Sequence, residues 1–238
     1  MAHCCTEALI KEENMTKKAL AGMIDHTNLK AFATTKDIEN LCKEAAKNKF
    51  ASVCVNSIWV RKAAELLAGT GVKVCTVVGF PLGACSHRTK AYEASAAIQD
   101  GASEIDMVID IGAVKDGRWD DVKQDIADVV GSVKRNAKRA ERECIVKVIL
   151  ETCYLTNEEI EKACRVCVKA KANFVKTSTG FGSGGATVEA VKLMRETVGK
   201  GIGVKAAGGI RDKETAMAMI EAGANRIGCS NGVALVKD

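Results

Sequence analysis

The sequence predicts a (β/α)8 barrel, a TIM barrel with an extra helix at the N-terminus. Three observations carry the prediction: eight alternations of short apolar runs with amphipathic stretches, polar residues gathered at the ends of the runs, and glycine-rich loops after the last three. Alternation without a break in composition argues for one parallel α/β domain, residues 1–238, near the roughly 250 residues typical of such a barrel. The count alone leaves a closed barrel and an open doubly wound sheet. The polar residues favour the barrel, because Asp25, His26, Thr27, Asn56, Asp106, Glu151, Lys176 and Lys205 fall at or near the C-terminal ends of different runs. A barrel gathers those ends around one mouth, whereas an open sheet spreads them along an edge.

The elements follow in order. An initial helix is expected over 6–18, then a first strand over 20–24 and a helix over 35–47. Strand 51–55 leads to helix 60–67, strand 72–78 to helix 90–100, and strand 104–109 to the long helix 119–138. Strand 144–150 precedes helix 157–170, strand 173–176 precedes helix 187–198, and strand 202–205 precedes helix 213–222, with strand 225–227 last. Thr35, Asn157 and Thr187 suit N-caps or first turns, and Gly71, Gly101 and Gly201 suit helix C-caps that lead into strands.

Composition narrows the function classes. Hydrophobic residues make up 47% and charged residues 27% of the chain, as in an ordinary globular protein. The net charge of +5 is densest at Lys134-Arg135-Asn136-Ala137-Lys138-Arg139. Aromatics are only 4% and none interleaves with these charges, so the stretch reads as the basic end of a helix rather than a nucleic-acid surface. No run approaches a membrane span. Residues 1–14 carry Glu7, Lys11, Glu12 and Glu13 and no apolar core, unlike a secretory signal. The eleven cysteines are scattered and odd in number, and Cys164-Arg165-Val166-Cys167 falls inside an amphipathic helix without a partner pair. A reducing, cytoplasmic setting is expected.

Three lysines stand out: Lys147, Lys176 and Lys205 all lie in apolar runs. Lysine is almost never fully buried unless paired or used. One such lysine reads as a barrel salt bridge with Asp25, Asp106 or Glu151. Three of them, two followed directly by glycine-rich loops, favour an imine with a carbonyl substrate, because burial or a neighbouring cation favours the neutral, nucleophilic amine. Gly180-Phe181-Gly182-Ser183-Gly184-Gly185 satisfies the dinucleotide fingerprint G-x-G-x-x-G, but it lies in the sixth unit and the next strand offers Lys205 where an acidic ribose-binding residue is wanted. A backbone cradle for one phosphate is the better reading. Ala207-Gly208-Gly209-Ile210-Arg211 and Gly228-Cys229-Ser230-Asn231-Gly232 add two more such loops after strands seven and eight, where barrel enzymes often bind phosphate.

The motifs Ile24-Asp25-His26-Thr27, Glu104-Ile105-Asp106-Met107-Val108-Ile109, Lys147-Val148-Ile149-Leu150-Glu151-Thr152, Phe174-Val175-Lys176-Thr177-Ser178-Thr179-Gly180 and Val204-Lys205-Ala206-Ala207-Gly208-Gly209-Ile210-Arg211 resemble those of deoxyribose-phosphate aldolases, from about Leu20 to the C-terminus and in the same order. The resemblance implies a class I aldolase that interconverts 2-deoxy-D-ribose 5-phosphate with D-glyceraldehyde 3-phosphate and acetaldehyde. It implies Lys176 as the Schiff-base lysine, Lys205 as the second active-site lysine and Asp106 as the acid/base carboxylate. Gly180, Gly208, Gly209, Ser230 and Asn231 would hold the phosphate; Asp25, which is expected to hold Lys205 charged and oriented, and Lys147 are supporting residues. Two positions depart from the family pattern: Asp110 stands where many members have asparagine, and Asn231 where a second serine is common. The chain also ends at Val236-Lys237-Asp238 where some members carry a longer tail, so a site that works without one is expected.

Cleaving a carbon-carbon bond β to an aldehyde needs an electron sink, which a protonated imine on Lys176 supplies. No cofactor is expected. His3, His26 and His87 show no paired spacing, so no metal is expected either. The expected partner is a small phosphorylated sugar, with self-association into a dimer and with neither nucleic acid nor membrane. Two alternatives remain: a Schiff-base aldolase for another sugar phosphate, and a non-catalytic phosphosugar-binding barrel.

Overall fold

A computed structural model describes residues 16–237. The eight strands are β1 (Ile24–Asn28), β2 (Ser52–Val55), β3 (Lys73–Val78), β4 (Glu104–Val108), β5 (Ile145–Ile149), β6 (Phe174–Lys176), β7 (Gly203–Ala207) and β8 (Arg226–Cys229). They pair in parallel, in sequence order, and β8 returns to β1 to close the barrel. The closed barrel expected from the sequence is therefore observed.

Alternation along the strands separates two environments. Val53 and Val55 join the large apolar core under the helices, while Cys54 between them points the other way, into a small cluster with Leu29, Cys75 and Val77. Ile105, Met107, Val146, Val148, Val175, Val204, Ala206 and Ile227 belong to the outer core. The residues between them, Glu104, Asp106, Lys147, Lys176, Lys205 and Arg226, share one ion-pair network. Branched aliphatic layers usually fill a barrel. Much of this interior is charged instead, and buried charges must be paired to be tolerated.

The helices are α1 (Lys17–Ala21), α2 (Thr35–Asn48), α3 (Val60–Leu66), α4 (His87–Gln99), α5 (Ile111–Lys115), α6 (Trp119–Arg139), α7 (Asn157–Lys169), α8 (Val188–Val198), α9 (Lys213–Glu221) and α10 (Gly232–Leu235). Their starts are chemically defined: capping boxes form at Thr34 with Asp37 and at Thr156 with Glu159, and Thr187 caps α8. Thr35 and Asn157 are accordingly first-turn residues. The basic end of α6, with Lys138 and Arg139 in its last turn and Asp120 and Asp121 in its first, complements the helix dipole.

Three expectations are corrected. The first strand begins at Ile24, not Leu20, because Thr16 caps a short helix that buries Leu20 and Ala21 before Gly22 ends it. Asp25 and His26 therefore lie within β1 rather than beyond it. Lys205 likewise sits in mid-strand, since β7 runs on to Ala207. The turn after α8 uses Gly199, at φ 64°, in place of Gly201. Of the initial helix expected over 6–18, residues before 16 lie outside the described residues.

Candidate active site

Strand register brings the polar residues together. Asp106 on β4 pairs with Lys147 on β5, and Lys176, the last residue of β6, pairs with Lys205 on β7. Asp106, Lys147 and Lys205 are wholly buried, whereas Lys176 keeps 3% exposure. The four meet at the Asp106 carboxylate. Its Oδ2 accepts from Lys176 Nζ at 2.9 Å and from Lys205 Nζ at 2.8 Å. Its Oδ1 accepts from Lys147 Nζ at 2.8 Å and from the Cys75 thiol at 3.1 Å.

A second tier supports the first. Asp25 Oδ2 lies 2.5 Å from Lys205 Nζ, and Glu104 Oε2 lies 2.6 Å from Lys147 Nζ. The Arg226 guanidinium donates to Asp25 Oδ1 at 2.5 Å and to Glu104 Oε1 at 3.1 Å, and Ser52 Oγ donates to Asp25 Oδ1 at 2.7 Å. Gly228 of β8 makes room for this packing, since a Cβ there would stand 3.0 Å from Lys205 Cε.

The charges set each other's state. Burial opposes ionisation of Asp106, yet Lys147, Lys176 and Lys205 hold its carboxyl well below the usual carboxylate range. Burial likewise opposes ionisation of Asp25, and Lys205, Lys147 and Arg226 outweigh it, so Asp25 is also held low. For Lys205, burial favours the neutral amine, but Asp106 and Asp25 overcome it and lift the ammonium above its ordinary value. Lys147 is lifted in the same way, chiefly by Asp106 against its own burial. Lys205 and Lys147 are thus fixed cations. In all, Lys147, Lys176, Lys205 and Arg226 face Asp25, Glu104 and Asp106.

A cavity of about 430 Å³ opens at the C-terminal ends of β1, β6, β7 and β8. Lys176 lines it, and among the described residues it is the only network lysine that does. Gly180, Gly208, Gly209 and Ser230 form part of the wall, while Asn231, expected beside them, is not among the lining residues. Gly180 and Gly209 adopt φ of +86° and +80°, and nothing lies within 4 Å of where their Cβ atoms would be. The loops therefore present bare backbone to open space.

Several residues were not singled out from the sequence. Glu104 and Arg226 complete the ion-pair network, and Lys30 and Arg211 bring positive charge to the cavity wall. The Glu104-Ile105-Asp106 alternation was a readable signal, because two charges at period two in an apolar strand must share one face. Cys54 and Cys75 are register partners, and together with Asp106 they form the one close group of metal-type donors among the described residues. Both Asp106 oxygens already hold lysines, so a metal ion there would meet the fixed cations Lys147 and Lys205. Burial also pushes the Cys75 thiol upward, away from the thiolate a metal prefers, while the hydrogen bond with Cys75 draws the Cys54 thiol downward.

Comparison with known proteins places this geometry. The model of the DeoC/LacD family aldolases matches residues 19–237. A deoxyribose-phosphate aldolase of Geobacillus sp. is 59% identical over 218 residues, which covers 92% of this chain and 95% of that protein. Deoxyribose-phosphate aldolase 1 of Bacillus licheniformis is 59% identical over 223 residues, 94% of this chain and 96% of that one. Among solved structures, the tetrameric deoxyribose phosphate aldolase of Aeropyrum pernix superposes with a TM-score of 0.85 at 32% identity, covering 93% of this chain and 91% of that one.

Proposed function

This chain belongs to the DeoC/LacD family of aldolases, and from that premise we propose that it cleaves 2-deoxy-D-ribose 5-phosphate reversibly to D-glyceraldehyde 3-phosphate and acetaldehyde. The observation that carries the residue assignment is one carboxylate oxygen of Asp106 shared by two lysines, of which Lys176 faces the cavity and Lys205 is sealed behind it. Lys176 is the nucleophile. Its neutral amine adds to the substrate aldehyde, water leaves, and the resulting protonated imine accepts the electron pair of the bond between the α and β carbons as that bond breaks. The hydroxyl proton lost in that step passes to Asp106, directly or through a water. The released aldehyde is glyceraldehyde 3-phosphate. The enamine left on Lys176 takes a proton at carbon, and water hydrolyses the imine to acetaldehyde.

Lys205 works as a fixed positive charge, since Asp106 and Asp25 hold it protonated. That charge and Lys176 share one carboxylate oxygen, Asp106 Oδ2, at 2.8 and 2.9 Å. Asp25 orients Lys205, and Lys147 fixes the far oxygen of Asp106. The phosphate is held by the backbone of Gly180, Gly208 and Gly209 and by Ser230, with Arg211 and Lys30 adding charge; Asn231 adjoins this wall.

Nine free cysteines among the described residues support a reducing, cytoplasmic setting, and no described helix is long and apolar enough to cross a membrane. Self-association, with a dimer as its smallest form, is suggested by the relative of Aeropyrum pernix, which is tetrameric. The deciding experiment is borohydride trapping with acetaldehyde, dihydroxyacetone and pyruvate in parallel, mapped by mass spectrometry. Adduct on Lys176 with acetaldehyde alone is expected. Preferential trapping of dihydroxyacetone or pyruvate would assign a different aldolase substrate, and no adduct at all would leave a binding barrel.

A further inference from the structure

Glu151 has no part in the imine chemistry, yet its placement is costly in two ways. It is a carboxylate with only 2% exposure, and its backbone is left-handed, at φ 56° and ψ 63°. The other described non-glycine residues with positive φ, Lys49, Glu141 and Lys171, are all exposed. Strain held inside a structure points to a constraint imposed by its surroundings. Here the surroundings are the loop after β6. Leu150 N–H bonds to the Lys176 carbonyl at 2.9 Å and Thr152 N–H to the Thr177 carbonyl at 3.0 Å, so the backbone is pinned on both sides of Glu151.

The side chain then grips that loop. Thr179 donates its hydroxyl to Glu151 Oε2 and its N–H to Oε1 at 3.2 Å. With its proton committed to the carboxylate, Thr179 Oγ1 offers a lone pair to Phe181 N–H, at 2.9 Å. The loop also lies down on the carboxylate at Gly182, where a Cβ would come 3.2 Å from Glu151 Cδ. Between the two bonds sits Gly180, whose open face lines the cavity. A carboxylate is an acceptor only, which enforces this hydroxyl direction; an amide at position 151 offers a competing donor.

We infer that Glu151 is a positioning residue that sets the Thr179-Gly180-Phe181 backbone for the substrate phosphate, and that it acts on phosphate binding rather than on the imine. The inference rests on the aldolase reading for its substrate, but its first readout does not require catalysis. Glu151→Gln keeps the size and one acceptor oxygen. We expect it to weaken binding of inorganic phosphate, measured by calorimetry, by about tenfold, as for loss of a hydrogen bond to a charged group. KM for 2-deoxyribose 5-phosphate rises by the same factor, while acetaldehyde trapping on Lys176 and kcat/KM for unphosphorylated 2-deoxyribose stay within about twofold. Thr179→Val, which removes the bridging hydroxyl, gives the same loss of phosphate affinity, Thr179→Ser restores it, and the Glu151→Gln/Thr179→Val pair loses no more than either single change. If Glu151→Gln does not fold, the Thr179 pair alone reads the bridge. Unchanged phosphate affinity in folded variants, additive losses, or an equal loss on both sugars would overturn the inference. Failure of the wild type to trap acetaldehyde would instead refute the aldolase reading, while the phosphate titration would still decide the role of Glu151.

Discussion

Lys176 and Lys205 differ by what surrounds them, and their substitutions should differ accordingly. Lys176→Arg places a guanidinium beside Asp106, which forms no imine at neutral pH. Borohydride trapping should vanish while the fold stays intact; an adduct that persists on another lysine would transfer the nucleophile there. Lys205→Leu removes a cation held charged by Asp106 and Asp25. Activity should fall by about two orders of magnitude or more, on the scale of a lost electrostatic group in an active site. A folded variant that keeps wild-type activity would reject the electrostatic role. These roles were legible in the sequence because a lysine in an apolar run is rare enough to need a reason. Glu151 was legible only as a polar strand end. What distinguishes it is a backbone angle and a partner 28 positions away, neither of which leaves a local pattern.

Element boundaries were legible where the chemistry is local and were missed where it is not. The capping boxes at Thr34 and Thr156 declare their helices, whereas the run from Leu20 to Ile24 is equally apolar as strand or helix, and only packing of Leu20 and Ala21 decides. The loop after β7 is a case where glycine itself carried the signal. Gly209 has φ +80° with open space on its Cβ side, so Gly209→Val puts a branched side chain into the cavity and strains the backbone by about 1–3 kcal/mol. KM for 2-deoxyribose 5-phosphate should rise at least tenfold, the effect of a lost charge-assisted contact, with a much smaller change on 2-deoxyribose. Equal loss on both sugars in a folded variant would remove this loop from the phosphate site.

At the scale of the whole barrel, alternation of charge with apolar residues has replaced an aliphatic interior by an ion-pair network, and stability should carry its pH signature. Asp25 and Asp106 have folded values below their ordinary 3.8, so their contribution is complete well above pH 3.8 and is lost as pH falls below it. Lys147 and Lys205 lie above their ordinary 10.5, so their contribution is complete below pH 10.5 and is lost at higher pH. Stability from the network is therefore flat between those limits and declines on both sides. Asp25→Asn tests the acid limb. It leaves Lys205 and Arg226 without one of their carboxylates, and breaking such a buried pair costs about 3–5 kcal/mol. Urea denaturation at neutral pH should show that gap, and at about pH 2.5 the gap should narrow, because the wild-type Asp25 has by then lost part of its advantage while the asparagine does not titrate. A gap of constant size across this range would mean that Asp25 is no more ionised in the folded barrel than in the unfolded chain, and the network would then have to be drawn with a different distribution of charge.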